Sequence, residues 1–517
     1  METHRGPGMG ITERVKLPPQ YHGVLKAPAT PRNVVVVGGG IAGLAAATVL
    51  AERGVSVTVV ESLDYLGGRA GSWHAKHDAG GDYEQDRGFH AFFRQYYNLR
   101  NLIRRISPDL SVLHELPDYP VIAPDGSAET FAYVPTTPVL NVIGLLNGSQ
   151  TFRWWHILRA NIRVGLSMMA YDGERSYDRW DGMTAKEYLD KVGLPPKPRA
   201  MLFDVFAHSF FNPEEEMSAA EMLQYFHFYF MGNPDSLVFD VLDGPLSARL
   251  WDPLRGYLEE RGVSFLLGTQ VDTVAHRQGE AGTQWEVALS GEGAPSTVSA
   301  DAVVLAANVK GLQAIVDGSP ELGDAGWRRK VATLEPTNPY AVLRLWFEGD
   351  VSRDRAPFVS TSGAGILDSI SLYHRLAIPS ALDHAKTGGA EIELHAYAVP
   401  KRIWGDEAAI ERELRQGLLA TYPEVGQLKE TQRRFHVMRD CPAFKVNSWQ
   451  DRPGIETPHD SLVLAGDLCW VPMPCGLMER ATASGFMAAN KLLSNWNVRG
   501  ESLWSVPTRG VLAGVLR

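Results

Sequence analysis

Val34-Val35-Val36-Val37-Gly38-Gly39-Gly40-Ile41-Ala42-Gly43 is the stretch on which the fold turns. Its β-branched run begins after Asn33 and suits a buried strand. The glycines suit a tight turn. Ile41–Arg53 is Ala- and Leu-rich with helical spacing and is closed by Gly54. Val55–Val60 then reads as a second strand. Strand, glycine turn, helix and strand form one βαβ unit, which calls for a parallel sheet covered by helices. In such a unit the backbone at Gly38, Gly40, Ile41, Ala42 and Gly43 and the helix dipole face a pyrophosphate, with glycine where a Cβ would block the approach. Glu61, followed by Ser62, ends the second strand, where a carboxylate accepts hydrogen bonds from ribose hydroxyls. The alternative is a structural glycine turn with no ligand.

With 517 residues, 44% hydrophobic and 21% charged, the chain has the material for two or three cores. A net charge of −10 argues against broad nucleic-acid binding, which needs a clustered basic surface. Cys441, Cys469 and Cys475 form neither an even disulfide framework nor a metal-ligand spacing, so no metal is expected and a reducing cytoplasm is the simplest compartment. Met1–Thr30 is polar and reads as a flexible leader without a secretory apolar core. The apolar run Val34–Leu50 is interrupted by four glycines and does not read as a membrane span.

Strand-like runs at Ser264–Leu267, Trp285–Leu289 and Ala302–Ala306 read as the resumption of the nucleotide domain after a long insertion, and Leu462–Ala465 as its last strand. The expected class is α/β. Residues 31–108, 245–310 and 455–500 form a discontinuous Rossmann-type domain with a parallel sheet. Residues 109–244 and 311–454 form an α+β substrate domain, and 501–517 a tail. Gly279–Ser296 is expected as a hairpin or loop.

Leu66-Gly67-Gly68-Arg69-Ala70-Gly71-Ser72 continues the motif. It resembles the second signature of the flavin amine oxidase and carotene desaturase superfamily, in which a Gly-Gly-Arg turn follows the ribose-binding acid. The far end supplies Leu464-Ala465-Gly466-Asp467, then Met478-Glu479-Arg480-Ala481-Thr482-Ala483-Ser484-Gly485 and a helix over Phe486–Leu493. The resemblance implies noncovalent FAD in a fold of the flavin amine oxidase and phytoene desaturase type. It places Gly68 and Arg69 against the pyrophosphate or flavin, and Gly466 and Asp467 at the ribityl chain. It sets Met478 and Ala481 near the helix start that points at the flavin, and the backbone of Val271 at the adenine. The bland alternatives are a solvated Arg69 and a capping Asp467.

Asp86-Arg87-Gly88-Phe89-His90-Ala91-Phe92-Phe93-Arg94-Gln95-Tyr96-Tyr97-Asn98-Leu99 is similar to a stretch of the plant and cyanobacterial type carotene desaturases. Within that clade it looks most like the bacterial β-carotene desaturase/methyltransferases, the isorenieratene synthases. Two residues depart from the pattern: Arg480 stands where a glycine often precedes Ala481, and Asp86 replaces a glutamate. The resemblance implies conversion of the β-rings of β-carotene to aromatic φ-rings. Hydride passes to the flavin, a methyl shifts within the ring and a proton leaves; a quinone or oxygen reoxidises the flavin. Asp86 and His90, four apart, are the candidates to assist proton removal, although a lone histidine is more often buried and hydrogen-bonded. Linear-carotene desaturation, amine oxidation and noncatalytic prenyl binding are the other activities of this fold. Only one dinucleotide-type turn is visible, so no methyl-donor pocket is expected.

Trp155, Leu158, Ile162, Leu166 and Met169 share one face of an expected helix, with Arg153, His156 and Arg163 spread round one flank and Arg159 at the boundary. Such a helix suits peripheral docking on the cytoplasmic membrane surface, or packing on the core. The aromatic clusters Phe203–Phe211 and Tyr225–Phe230 are expected to line an apolar tunnel or plain core.

Overall fold

The computed structural model describes residues 14–515 apart from 78–81, 117, 131–139, 154, 157–159, 205–207, 234–237, 280–281 and 377–387. In chain order, the elements that build the site begin with β1 (Asn33–Val37), α1 (Ile41–Ala51), β2 (Ser56–Val60), α2 (Ala219–Phe226), β3 (Ser264–Leu266) and β4 (Ala302–Leu305). They continue with β5 (Tyr340–Glu348), β6 (Ala390–Ala396), β7 (Lys429–Met438), β8 (Leu462–Leu464) and α3 (Leu477–Asn495).

β3-β2-β1-β4-β8 is a parallel sheet, with Val34 opposite Val57 and Ala302 opposite Val34. Val34–Val37 are all buried, as a parallel strand covered on both faces requires. Every residue of α1 is buried too, because the helix packs on the sheet and against α3. That crossing explains a glycine inside α3: a Cβ on Gly485 would stand 2.3 Å from the Ala42 carbonyl oxygen. Glycine within a helix costs about 1 kcal/mol relative to alanine, and the close approach outweighs it. α3 therefore runs back through Gly485 to Leu477, earlier than the expected start at Phe486.

Trp285–Leu289 lies outside the parallel sheet. It belongs to Gly282–Ser290, the middle strand of a three-stranded antiparallel sheet with Gln270–Gly279 and Thr297–Ala300. Trp285, Val287 and Leu289 are buried while Glu286 and Ala288 are not, the period-two burial of a half-solvated strand.

A seven-stranded sheet opens with β7-β5-β6 and continues through Ser369–Leu372, Phe358–Thr361, Val121–Ile122 and Ala128–Glu129. β6 is buried along its length. Ala390, Ile392, Leu394 and Ala396 join the apolar core of this sheet. The alternation puts Glu391, Glu393 and His395 on the other face, and Arg344 of β5 is in register with Glu393.

The segment expected as one amphipathic helix is broken. Asn161 accepts a hydrogen bond from the Val164 N–H and caps a separate short helix, Ile162–Ser167. Trp155, Ile162 and Leu166 are exposed, Met169 is half-buried, and Leu158 and Arg159 lie outside the described residues. No helix among the described residues is long and apolar enough to cross a membrane.

Candidate functional site

One cavity of about 690 Å³ joins the parallel sheet to the seven-stranded sheet. Gly38, Gly40, Ile41 and Ala42 line it at the N-terminus of α1. A Cβ on Gly40 would meet no protein atom within 4 Å, so this glycine answers to what enters the cavity rather than to packing. Gly43 is different. It does not line the cavity, and a Cβ there would lie 1.9 Å from the Gly38 carbonyl oxygen, so its absence lets turn and helix close. Glu61 and Ser62 also line the cavity, and Glu61 accepts hydrogen bonds from the N–H groups of Gly39 at 2.6 Å and Leu63 at 2.9 Å.

The second glycine turn lies on the first. Gly67 N–H donates to the Gly39 carbonyl at 2.8 Å, and a Cβ on Gly68 would be 3.2 Å from Gly40 Cα. Arg69 and Asp467, 398 residues apart, form an ion pair at 2.5 Å on the cavity wall. Gly466 and Val271 line the cavity as well, and Met478 and Ala481 do so from the first turns of α3. Neither α1 nor α3 has a side-chain N-cap bond, so two helix N-termini open on this space with their partial positive charge. These termini, the buried Glu61 carboxylate and the open approach at Gly40 fit a dinucleotide. Arg480 stays out of the cavity. It is buried on Gln224 at 3.1 Å, the Cys475 carbonyl at 2.9 Å and Glu221, tying α3 to α2. Burial would raise the Glu221 pKa, but Arg480 and Arg452 outweigh it and hold it at about 2.

Aromatic rings close the rest of the cavity. Phe210, Phe211, Tyr229 and Phe230 line it, while Tyr225 and Phe228 of the same clusters are core, and Phe89 stacks on Phe358 at 4.6 Å. Two histidines interrupt this wall, His90 and His395. His90 Nδ1 donates to the Gly88 carbonyl at 2.6 Å, since a carbonyl only accepts; burial outweighs that bond and pushes its pKa down to about 4. Asp86 is not on the wall. It lies behind, accepting from Arg344 at 2.6 Å and from the Gly88 N–H at 3.0 Å. Burial and the neighbouring Glu393 raise its pKa, against the pull of Arg344.

Arg344 and the polar stripe of β6 were not found from the sequence. Arg344 donates to Glu393 through Nε at 2.8 Å and Nη2 at 2.5 Å, and is 3.6 Å from Glu391. Burial opposes the Glu393 charge, but Arg344 and His395 together outweigh it and lower its pKa; burial prevails at Glu391 and pushes it up to about 7. The available signal was Ala-Glu-Ile-Glu-Leu-His-Ala at 390–396, which alternates apolar and ionisable residues.

The family described as flavin containing amine oxidoreductase matches residues 41–493. A carotenoid phi-ring synthase of Streptomyces griseus is 40% identical over 509 residues, covering 98% of this chain and 97% of that protein. A zeta-carotene desaturase of Synechocystis sp. is 27% identical over 495 residues, covering 90% of this chain and 97% of that protein. Among solved structures, a putrescine oxidase double mutant from a redesign of cofactor binding aligns with a TM-score of 0.66 at 15% identity, covering 90% of this chain and 99% of that one. That last likeness is one of fold alone.

Proposed function

The chain belongs to the flavin containing amine oxidoreductase family, and from that premise we propose that it is an FAD-dependent carotenoid oxidoreductase converting β-rings to aromatic φ-rings. The observation that carries this reading is the 40% identity, over nearly all of both chains, to a carotenoid phi-ring synthase. The cavity supports it by joining a dinucleotide cradle to an aromatic wall. Bound there, the flavin supplies a hydride acceptor.

The residues divide the work. Backbone N–H groups at Gly40, Ile41 and Ala42 would hold the pyrophosphate, while Gly38, whose N–H donates to the Val60 carbonyl at 2.8 Å, shapes the turn; Glu61 and Ser62 would hold the ribose and Val271 the adenine. Gly68, Arg69, Gly466 and Asp467, which line the same cavity, would hold the pyrophosphate and ribityl chain, and Met478 and Ala481 would face the ring system from the start of α3. Phe89, Phe239 and Phe358 grip the apolar ring of the substrate, and their faces stabilise positive charge developing on it. His90 presents a neutral imidazole to the same wall, and Asp86 acts through the Gly88 turn that positions it. A ring carbon bearing two methyls cannot become aromatic until one moves. No second dinucleotide-type turn is present in the sequence, so the methyl migrates within the ring. The substrate is β-carotene drawn from the cytoplasmic membrane surface, on which the exposed Trp155, Ile162 and Leu166 dock. A quinone or oxygen takes the electrons.

The test is pigment analysis in a β-carotene-producing host, followed by the purified protein with FAD and β-carotene labelled in the gem-dimethyl groups. An aromatic product that keeps all its label is expected without added methyl donor. Loss of label, or methyl incorporation from labelled methionine, excludes the intramolecular shift. Turnover of linear but not cyclic carotenes would make the protein a desaturase of the ordinary kind.

A further inference from the structure

Seven of the ten large apolar side chains that stand exposed among the described residues come from three segments far apart in sequence. Trp155, Ile162 and Leu166 are one group. Leu140 and Ile143 of the helix Leu140–Gly148 are a second, and Val511 and Val515 near the end of the chain a third. Single exposed apolar residues need no explanation, whereas a concentration of them marks an interaction surface.

The three segments meet around one turn of helix, His227–Met231, whose Tyr229 and Phe230 line the cavity. Asn141 donates to the Phe230 carbonyl and ties the Leu140–Gly148 helix to that turn. His227 stacks on Tyr171 with ring centres 5.0 Å apart, and its Nε2 donates to the Pro507 carbonyl at 2.6 Å. The chain end is strapped further along the same side. Gly510 N–H donates to the Tyr171 carbonyl at 2.7 Å, and Leu512 N–H to the carbonyl of Met169 at 3.1 Å; Met169 N–H in turn donates to Leu166 at 3.0 Å. A Cβ on Gly510 would lie 2.4 Å from that Met169 oxygen, so the close approach needs glycine. Upstream, the Asn98 side chain holds both the N–H and the carbonyl of Trp504. Ordering a chain end costs about 1–2 kcal/mol per residue in backbone entropy. Here the anchors hold it in place while Val511 stays 47% and Val515 75% exposed.

Arg153, Arg163 and Arg509 are exposed beside these segments. Asp172, the acid against the tail, is paired to Arg509 at 2.8 Å and to Arg175 at 3.2 Å. Apolar side chains flanked by arginines suit a bilayer with anionic headgroups, where buried area and charge attraction act together.

Resting on the φ-ring reading, whose substrate is a hydrocarbon dissolved in the bilayer, we propose that the C-terminal segment 511–515 and the helix Leu140–Gly148 complete one docking face with Ile162 and Leu166. Its occupant is the surface of an anionic bilayer. Docking there sets the turn that carries Tyr229 and Phe230 of the cavity wall against the lipid.

The experiment floats flavin-loaded full-length protein with β-carotene vesicles of phosphatidylcholine and phosphatidylglycerol in equal parts, and reads bound protein and aromatic product. Val511→Ser with Val515→Ser removes apolar contact without adding repulsion. It is expected to lower vesicle binding by about three- to tenfold, with product from vesicles falling in step. Flavin content and turnover of β-carotene dispersed in detergent are expected to stay within about twofold of wild type. Leu140→Ser with Ile143→Ser is expected to act likewise; should that pair fold poorly, the tail pair alone decides. Wild type is expected to bind phosphatidylcholine vesicles at least about fivefold more weakly than the anionic ones. The proposal is overturned if the tail pair floats as wild type does, if its loss is equal with detergent-dispersed substrate, or if the two vesicle types bind alike. A wild-type dimer in light scattering that the tail pair splits would also overturn it, making the face a contact between copies. If wild type does not float, the docking face and the membrane source of the substrate fail together. Wild type that floats yet forms no aromatic product fails the φ-ring reading and leaves the docking face intact.

Discussion

The glycine turn after β1 lines the cavity and the charged stripe of β6 lies behind its far wall, and the two are built on opposite principles. At Gly38–Gly43 the backbone itself forms the surface: a Cβ at Gly40 would enter the cavity, while at Gly38, Gly39 and Gly43 it would strike protein atoms. On β6 the working groups are side chains, buried and mutually compensated by Arg344. The turn is made by six consecutive residues. The stripe draws on Asp86, Arg344 and Glu393, 258 and 49 residues apart along the chain. A backbone site tolerates loss of function without loss of fold, whereas a compensated charge cluster ties its chemistry to stability.

The contrast is most directly broken at Gly40. Gly40→Val meets no protein atom at its Cβ, so the fold is expected to survive while flavin binding is abolished. Visible absorbance set against far-ultraviolet circular dichroism reads both; a yellow variant would show that the turn does not carry the cofactor. On the other side, Arg344→Met strands three buried carboxylates. A loss of about 3–5 kcal/mol is expected in denaturant unfolding, and an unchanged midpoint would separate the stripe from stability.

Asp467→Ala lies between the two, since it removes the ion pair with Arg69 on the cavity wall. A loss of about 1.5–3 kcal/mol in flavin affinity, roughly ten- to hundredfold, is expected by titration of apoprotein. An unaltered affinity would make that pair scaffolding. The smallest effect is expected where neither principle applies. Trp155→Glu with Ile162→Glu is expected to weaken binding to anionic vesicles by about tenfold while flavin stays bound, and equal vesicle flotation would remove this surface from docking.

The βαβ unit, the Gly-Gly-Arg turn and the Gly-Asp pair were legible because each is local: a strand period, a breaker and a helix period within a few tens of residues. Even so, their alignment was not. That Gly67 hydrogen-bonds back to Gly39, and that Arg69 reaches Asp467, follow only from the packing of β1, β8 and α3. The helix expected over Trp155–Met169 failed for a local reason that the hydrophobic wheel ignores, because Asn161 spends its side chain on a cap. Trp285–Leu289 was read as a strand, which it is, but that it pairs antiparallel was not legible, because β-branched and aromatic content does not separate parallel from antiparallel strands, while alternation of burial does.

His90 and Asp86 were singled out by spacing, yet one stands on the wall and the other behind it with Arg344. By itself the sequence determined the βαβ unit and its glycine turn, since a tight turn is backbone geometry and glycine placement encodes it directly. Only the tertiary structure decided the wall opposite. The ionisation of Glu393 depends on which charges burial brings against it, and strands β5 and β6 meet by sheet register that no local pattern records.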